Sequence, residues 1–323
     1  MMRTLISCLV CAAALPCVAA DSKPVLWAQP GKITLDDWTW GPGGEARAPK
    51  APFEFIEEDL KGTNAKIKVR DANGERWTVK FGGEDHGDVF AARFLYATGY
   101  EAQSSYFVRS GVITGAHGLK RAKPFLGKHG EFGFGRFKLH ESKKVTVVED
   151  MNWSWTDNPF VGTHELNGLK VLMMLMSNWD AKDSRDGKGS NTAIYSQAGS
   201  QSRQLRYAFD DWGATFGKWG GFFSRDKWNA DGYSDQTRSF VRMDGGTLRW
   251  GYHGKHGADI TTGIRIEDIQ WLLTYLSPVT DEQIRAGLRA SGATPYDTDT
   301  YARSIRERIS QLQRVAGGIQ ATR

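Results

Sequence analysis

Three aspartates, Asp180, Asp183 and Asp186, follow one another in "SNWDAKDSRDGKGSNTAIYSQ", directly after the apolar run Leu172-Met173-Met174-Leu175-Met176. Two more, Asp210 and Asp211, close a second short apolar stretch in "YAFDDWGATFG". A carboxylate at the end of an apolar element stands at the edge of a core, where two such groups can converge on one ion or one substrate. If the second stretch is a strand that continues through both aspartates, Asp210 and Asp211 point to opposite sides, and only one of them can reach a shared ion well. Far upstream, Lys80 in "WTVKFG" ends an alternating segment, with Glu84 and Asp88 just beyond it. A lysine facing a cleft neutralises anionic charge, and a carboxylate on the next element can hold its ammonium in place.

These residues need elements to bring them together. The segment "AKIKVRDANGERWTVKFG" alternates apolar and polar residues on both sides of Asn73-Gly74. It predicts two antiparallel strands, because Asn-Gly tolerates the positive φ of a tight turn. The spacing of Val89, Ala92, Phe94, Leu95 and Ala97, with a stop at Gly99, predicts a helix. Residues 105 to 150 read as Gly-rich and strand-like, with "KVTVVED" the clearest strand. "NPFVGTHELNGLKVLMMLMSNWD" predicts a long apolar helix from Asn158 that delivers the chain to Asp180. Short strands around "TAIYS" and "LRYAFDD" bracket a loop, residues 213 to 257 carry no readable period, and residues 264–288 and 299–315 are helical by periodicity.

Glycine turn, strand lysine, acidic helix, Asp loop and Asp-Trp-Gly follow the order of parts in a protein-kinase phosphoryl-transfer site. Over about residues 53 to 290 the chain resembles the atypical protein-kinase-like superfamily, in the direction of HipA-like proteins and secretory-pathway kinases, and is similar to uncharacterised bacterial exported proteins. The resemblance implies an α+β, two-lobed fold with a small β-rich N-lobe (53–150) and a larger, mainly helical C-lobe (151–323). It implies ATP and Mg²⁺ as cofactors. Lys80 would contact the nucleotide phosphates, held by Glu84 or Asp88. Asp180 would orient the acceptor hydroxyl and take its proton, and Asp211 would bind the metal. The superfamily's metal-binding asparagine should fall about five residues after Asp180, where Arg185 stands. Asn191 fits that role if about six residues are inserted, with Asp183 or Asp186 as substitutes. Gly62 and Thr63 in "EEDLKGTNAK" offer backbone N–H groups to phosphate oxygens, without the family's usual glycine repetition.

Other chemistries fit less well. Residues 1–20 read as an export signal: Arg3, an apolar run from Leu5 to Leu15, and small residues at Val18 and Ala20. The expectation is a secreted or periplasmic protein, with residues 21–52 as an extended arm or linker. All three cysteines fall inside the signal segment, which excludes thiol chemistry after cleavage. A net charge of +5 is spread along the chain, which gives no nucleic-acid reading, and no later run is long and apolar enough to span a membrane. The Asp loop lacks an EF-hand register, and His253 and His256 in "GYHGKHG" have no evident third ligand. The partner implied is a hydroxyl acceptor, whether protein, glycan or small molecule. Two rival functions remain. One is an inactive pseudokinase or binding module. The other is a glycan-processing hydrolase with Asp180 and Asp211 as its carboxylate pair and Trp153, Trp155 and Trp219 stacked on sugar.

Overall fold

A computed structural model describes residues 22–62, 64–139, 145–147, 151–187, 189–198, 203–221 and 224–317. The expected signal segment lies outside the described residues. The arm that follows is not free of structure. It forms strand β1 (Ser22–Val25) and helix α1 (Leu35–Trp40). Thr34 caps α1 in a reciprocal capping box with Asp37. Trp38 is buried edge-on against Phe94, so burial of one large aromatic side chain pins a segment whose sequence has little periodicity.

An N-terminal sheet follows, built from β2 (Phe53–Glu58), β3 (Lys66–Arg70), β4 (Arg76–Lys80), β5 (Ser105–Val108), β6 (Gly111–Thr114), β7 (Glu131–Phe132) and β8 (Gly135–Leu139) in the order β5-β8-β4-β3-β2-β6-β7. The β3–β4 hairpin forms where the alternation predicts it. Asp71 Oδ1 accepts from the N–H groups of Asn73 and Glu75, and Gly74 takes a positive φ of 80°. Ile67, Val69, Trp77, Val79 and Phe137 fill one core with Phe53, Ile113 and Phe132. Helix α2 (Glu84–Ala97) leaves the sheet directly after β4, ending at Thr98 with Gly99 at positive φ.

The C-terminal region is mainly helical. Strand β9 (Val145–Val147) pairs with β10 (Thr192–Ala198), which pairs with β11 (Arg203–Phe209), and β1 closes that sheet in parallel. The N-terminal sheet therefore ends at Leu139. Between β9 and β10 lies helix α3 (His164–Leu175), which starts six residues later than the apolar pattern suggests. Asn158 spends both ends of its carboxamide on a turn, to Ser154 O and from Phe160 N, and Thr163 is the cap. Residues 213–257 contain α4 (Ala230–Thr237) and the hairpin β12 (Val241–Asp244) and β13 (Thr247–Trp250). After α5 (Gly257–Thr261), the expected helix over 264–288 is two, α6 (Ile266–Leu276) and α7 (Asp281–Ala290), separated at Pro278, and α8 runs from Pro295 to Gly317. These helices and α2 share a second, larger core. The fold is α+β, with an N-terminal β-sheet region and a helical C-terminal region. No described helix is long and apolar enough to cross a membrane.

Candidate functional site

Lys80 ends β4 opposite Lys66 on β3 and Arg136 on β8, while Lys138 on β8 lies opposite Thr78 and Ser105. Residues paired across antiparallel strands share a face. Lys80, Arg136 and Lys138 therefore stand on one face, and the apolar residues between them line the other. The sequence carries this signal in "GRFKL", where two cations alternate with Phe137. The reading above took only the lysine of β4.

Helix α2 brings carboxylates to that cationic face because it can approach the Asp-Trp-Gly segment closely. A Cβ on Gly87 would stand 2.5 Å from Thr215 Oγ1, so a side chain there would push the helix away. Gly213 serves the same approach from the other side. Its absent Cβ would lie 3.1 Å from Glu84 Cβ and 3.2 Å from Asp211 Oδ1. Its φ is not positive, so the glycine of Asp-Trp-Gly is needed here for proximity and not for a sharp turn.

Electrostatics bind the groups into one cluster. Burial lowers the Lys80 pKa and Arg136 adds to this, while Asp211, Glu84 and Asp85 oppose it. Asp211 is nearly buried, yet Lys80, the Gly213 N–H at 3.0 Å, Arg136 and Lys138 outweigh burial and hold its carboxyl below the usual range. Burial pushes Lys138 down to about 8. Asp85 behaves in the opposite way to Asp211. Burial lifts it to about 7 against the pull of Arg136, Lys80 and the nearby Gly82 N–H, and neither of its carboxylate oxygens makes a well-formed hydrogen bond among the described residues. The Arg136 Nε is likewise buried without an acceptor. Asp210 also acts on Lys138; it is held by the Tyr195 hydroxyl and by Gln103 Nε2 at 3.1 Å, and burial raises its pKa against the pull of Lys138.

The two candidate partners of Lys80 are otherwise engaged. Asp88 forms an ion pair with Arg136, and Glu84 accepts from Asn64 and from Lys227 Nζ at 2.6 Å. Which carboxylate would meet Lys80 depends on the rotation of α2 about its axis, which sequence spacing does not specify. Gly62 takes φ +73° and its carbonyl accepts from Arg121; Thr63 lies outside the described residues.

Asp180 joins the site through backbone and carboxamide links. Asn178, fully buried, accepts from Asp180 N at 3.0 Å and donates to Asp211 O at 3.1 Å, so one side chain spans both loops. Asn191 Nδ2 donates to Asp180 O at 2.7 Å, and Asp210 N donates to Asn191 O at 2.7 Å. Lys182 Nζ holds Asp180 Oδ2 at 2.7 Å, and the Asp180 side chain remains 18% exposed. Asp183 and Asp186 form a separate network. The buried Asp183 accepts from Trp155 N and from Arg185, and Asp186 accepts from Lys255 and from His256 Nε2 at 2.7 Å. Ligand atoms of Asp183, Asp186 and His256 lie within 4.8 Å of one another, but cationic partners occupy them. Trp153, Trp155 and Trp219 are 3%, 1% and 4% exposed. They offer no face to a sugar, which corrects the stacking expected for a glycan-processing site.

No protein-family model matches the chain, and no curated protein matches it significantly. Solved structures similar to it include one described as the crystal structure of the Golgi casein kinase with Mn/ADP bound and one described as the crystal structure of the Golgi casein kinase. Each is 10% identical with a TM-score of 0.42, over 89% of this chain and 76% or 75% of the other. At these values the likeness assigns no residue role, ligand or substrate.

Proposed function

We propose that the chain transfers a phosphoryl group from ATP with Mg²⁺ to a hydroxyl acceptor, outside the cytoplasm as its apolar N-terminal segment predicts. One arrangement carries the reading: three cations on adjacent strands, Lys80, Arg136 and Lys138, act on Asp211, and Asn178 ties the backbone of Asp211 to that of Asp180. Buried cations with few partners are suited to an anion, because a phosphate there meets little competition from water.

The residues present also fit a hard divalent cation. Asp85 supplies two buried carboxylate oxygens that make no well-formed hydrogen bond among the described residues, Asp211 keeps its charge, and Glu84 lies beside Gly213. Asp211 and Asp85 would hold the ion, which when bound would neutralise charge on the phosphate oxygens. Lys80 and Lys138 neutralise phosphate from the sheet. Asp180 is positioned by Asn191 and Lys182 and keeps one side open to solvent. There it orients the acceptor hydroxyl and accepts its proton.

Thermal shift with ATP, GTP, ADP and oligosaccharides, each with and without Mg²⁺, tests this in wild type and in Lys80→Met. The expected result is Mg²⁺-dependent stabilisation by a nucleotide that Lys80→Met loses. Stabilisation by oligosaccharide alone would turn the reading toward glycan processing, and no response to any nucleotide would turn it toward a pseudokinase or binding module.

A further inference from the structure

The connection between β6 and β7, residues 115–130, holds Lys120, Arg121, Lys123, Lys128, His117 and His129 and no acidic residue. The two carboxylates that reach it are spent on its backbone. Glu58 accepts from the N–H groups of Lys120, Arg121 and Ala122 at 2.7, 2.8 and 2.7 Å. Glu131 accepts from His129 N at 2.9 Å. Arg121 turns its guanidinium to the carbonyls of Leu60 and Gly62. Lys120, Lys123 and Lys128 are exposed, and among the described residues no carboxylate lies within 4.0 Å of their ammonium groups.

Part of this connection surrounds a cavity of about 580 Å³, walled by His117, Lys123, Lys128 and His129, by Leu119 and Leu126, and by several glycines, while Lys120 and Arg121 stand outside it. Its size is that of a small-ligand pocket. The His117 ring is oriented, with Nδ1 2.7 Å from Gly115 O and its edge against Phe55. Glu58 and Glu131 act on Arg121 and His129, but the Lys123 and Lys128 ammonium groups have no ion pair among the described residues, and an anion that enters between them relieves their mutual repulsion. A metal cation is disfavoured by the same field, and an apolar ligand would desolvate the lysines.

We infer that this pocket binds a compact polyanion bearing two or more phosphate or sulfate groups. Its lining shares no residue with the Lys80–Asp211 cluster, and the inference does not depend on phosphoryl transfer.

Isothermal titration at low ionic strength, without Mg²⁺, tests it with inorganic tripolyphosphate and a sulfated disaccharide as probes. Lys80→Met serves as background, so that binding in the cleft does not contribute. At least one probe should bind, and which one does separates phosphate from sulfate as the source. The pair Lys123→Ala with Lys128→Ala should weaken binding on the order of tenfold. Loss of two exposed cations elsewhere, Arg242→Ala with Arg303→Ala, should leave affinity within about twofold, since they lie outside the pocket. Three results would overturn the inference: no binding of either probe in this background, undiminished binding by the lysine pair, or equal loss in both pairs, which would mean a net-charge effect.

Discussion

Two clusters of charge lie close together in sequence and differ in how their charges are met. Around Asp183, each acid has its base: Arg185 makes a forked pair with Asp183 and reaches Asp259, while Lys255 and His256 hold Asp186. Around Asp211, charges are buried ahead of their partners, with both oxygens of Asp85 and the Nε of Arg136 unmatched. The first cluster braces a loop. The second is left with capacity that a ligand can use, because leaving a buried polar group unsatisfied costs free energy that binding recovers.

The clusters should also answer pH with opposite sign. In the first, burial raises the pKa of Asp183 and Asp186, but Arg185 at the one and Lys255 with His256 at the other lower both below the ordinary value. Their contribution to stability is present above that value and is lost as pH falls. Asp85 has a folded pKa of about 7 against an ordinary 3.8. The folded state thus keeps a proton that the unfolded chain has released, and stability falls as pH rises between those values.

The largest effect is expected from Asp211→Ala, which should abolish Mg²⁺-dependent nucleotide binding while the fold is retained. Calorimetry with circular dichroism checks both halves, and retained binding would remove Asp211 from the metal site. Asp180→Asn should keep nucleotide affinity and lower the transfer rate on the order of 10² or more, measured by phosphate release to acceptor. Asp183→Asn should leave transfer nearly unchanged but cost about 1–3 kcal/mol in denaturant melts, the range for disturbing the hydrogen bonds of a buried polar group, since Arg185 stays partly solvated. If Asp183 proves essential to transfer and Asp180 dispensable, the roles of the two clusters are exchanged. Asp85→Asn should stabilise the apo protein at pH 8 by at most about 4 kcal/mol and leave it unchanged at pH 4, because only the ionised carboxylate is penalised. A gain of equal size at both pH values would place its effect in packing.

Local pattern carried the hairpin ending at Lys80, helix α2, and the delivery of Asp180 and Asp211 to the ends of apolar elements. Each depends on residues within one turn or one strand, so the period and the Asn-Gly turn suffice. The same period, applied to "GRFKL", places Arg136 and Lys138 on one face of a strand. Which face meets Lys80 is knowable only from the β4–β8 register, a pairing of residues far apart in sequence. Partner choice was less legible still. Asp88 goes to Arg136, Glu84 to Lys227, and Asp85 makes no ion pair among the described residues, because the docking of α2 through Gly87 and Gly213 sets where each carboxylate points. The tryptophans show the same limit, since composition counts aromatic rings and only packing decides that Trp153 and Trp155 meet edge to face inside the core. The sequence alone determined which residue types stand at the ends of which elements, because backbone periodicity is local. Tertiary structure decided which of those charges are matched and which are left open, because burial and pairing arise between elements that the chain brings together only when it folds.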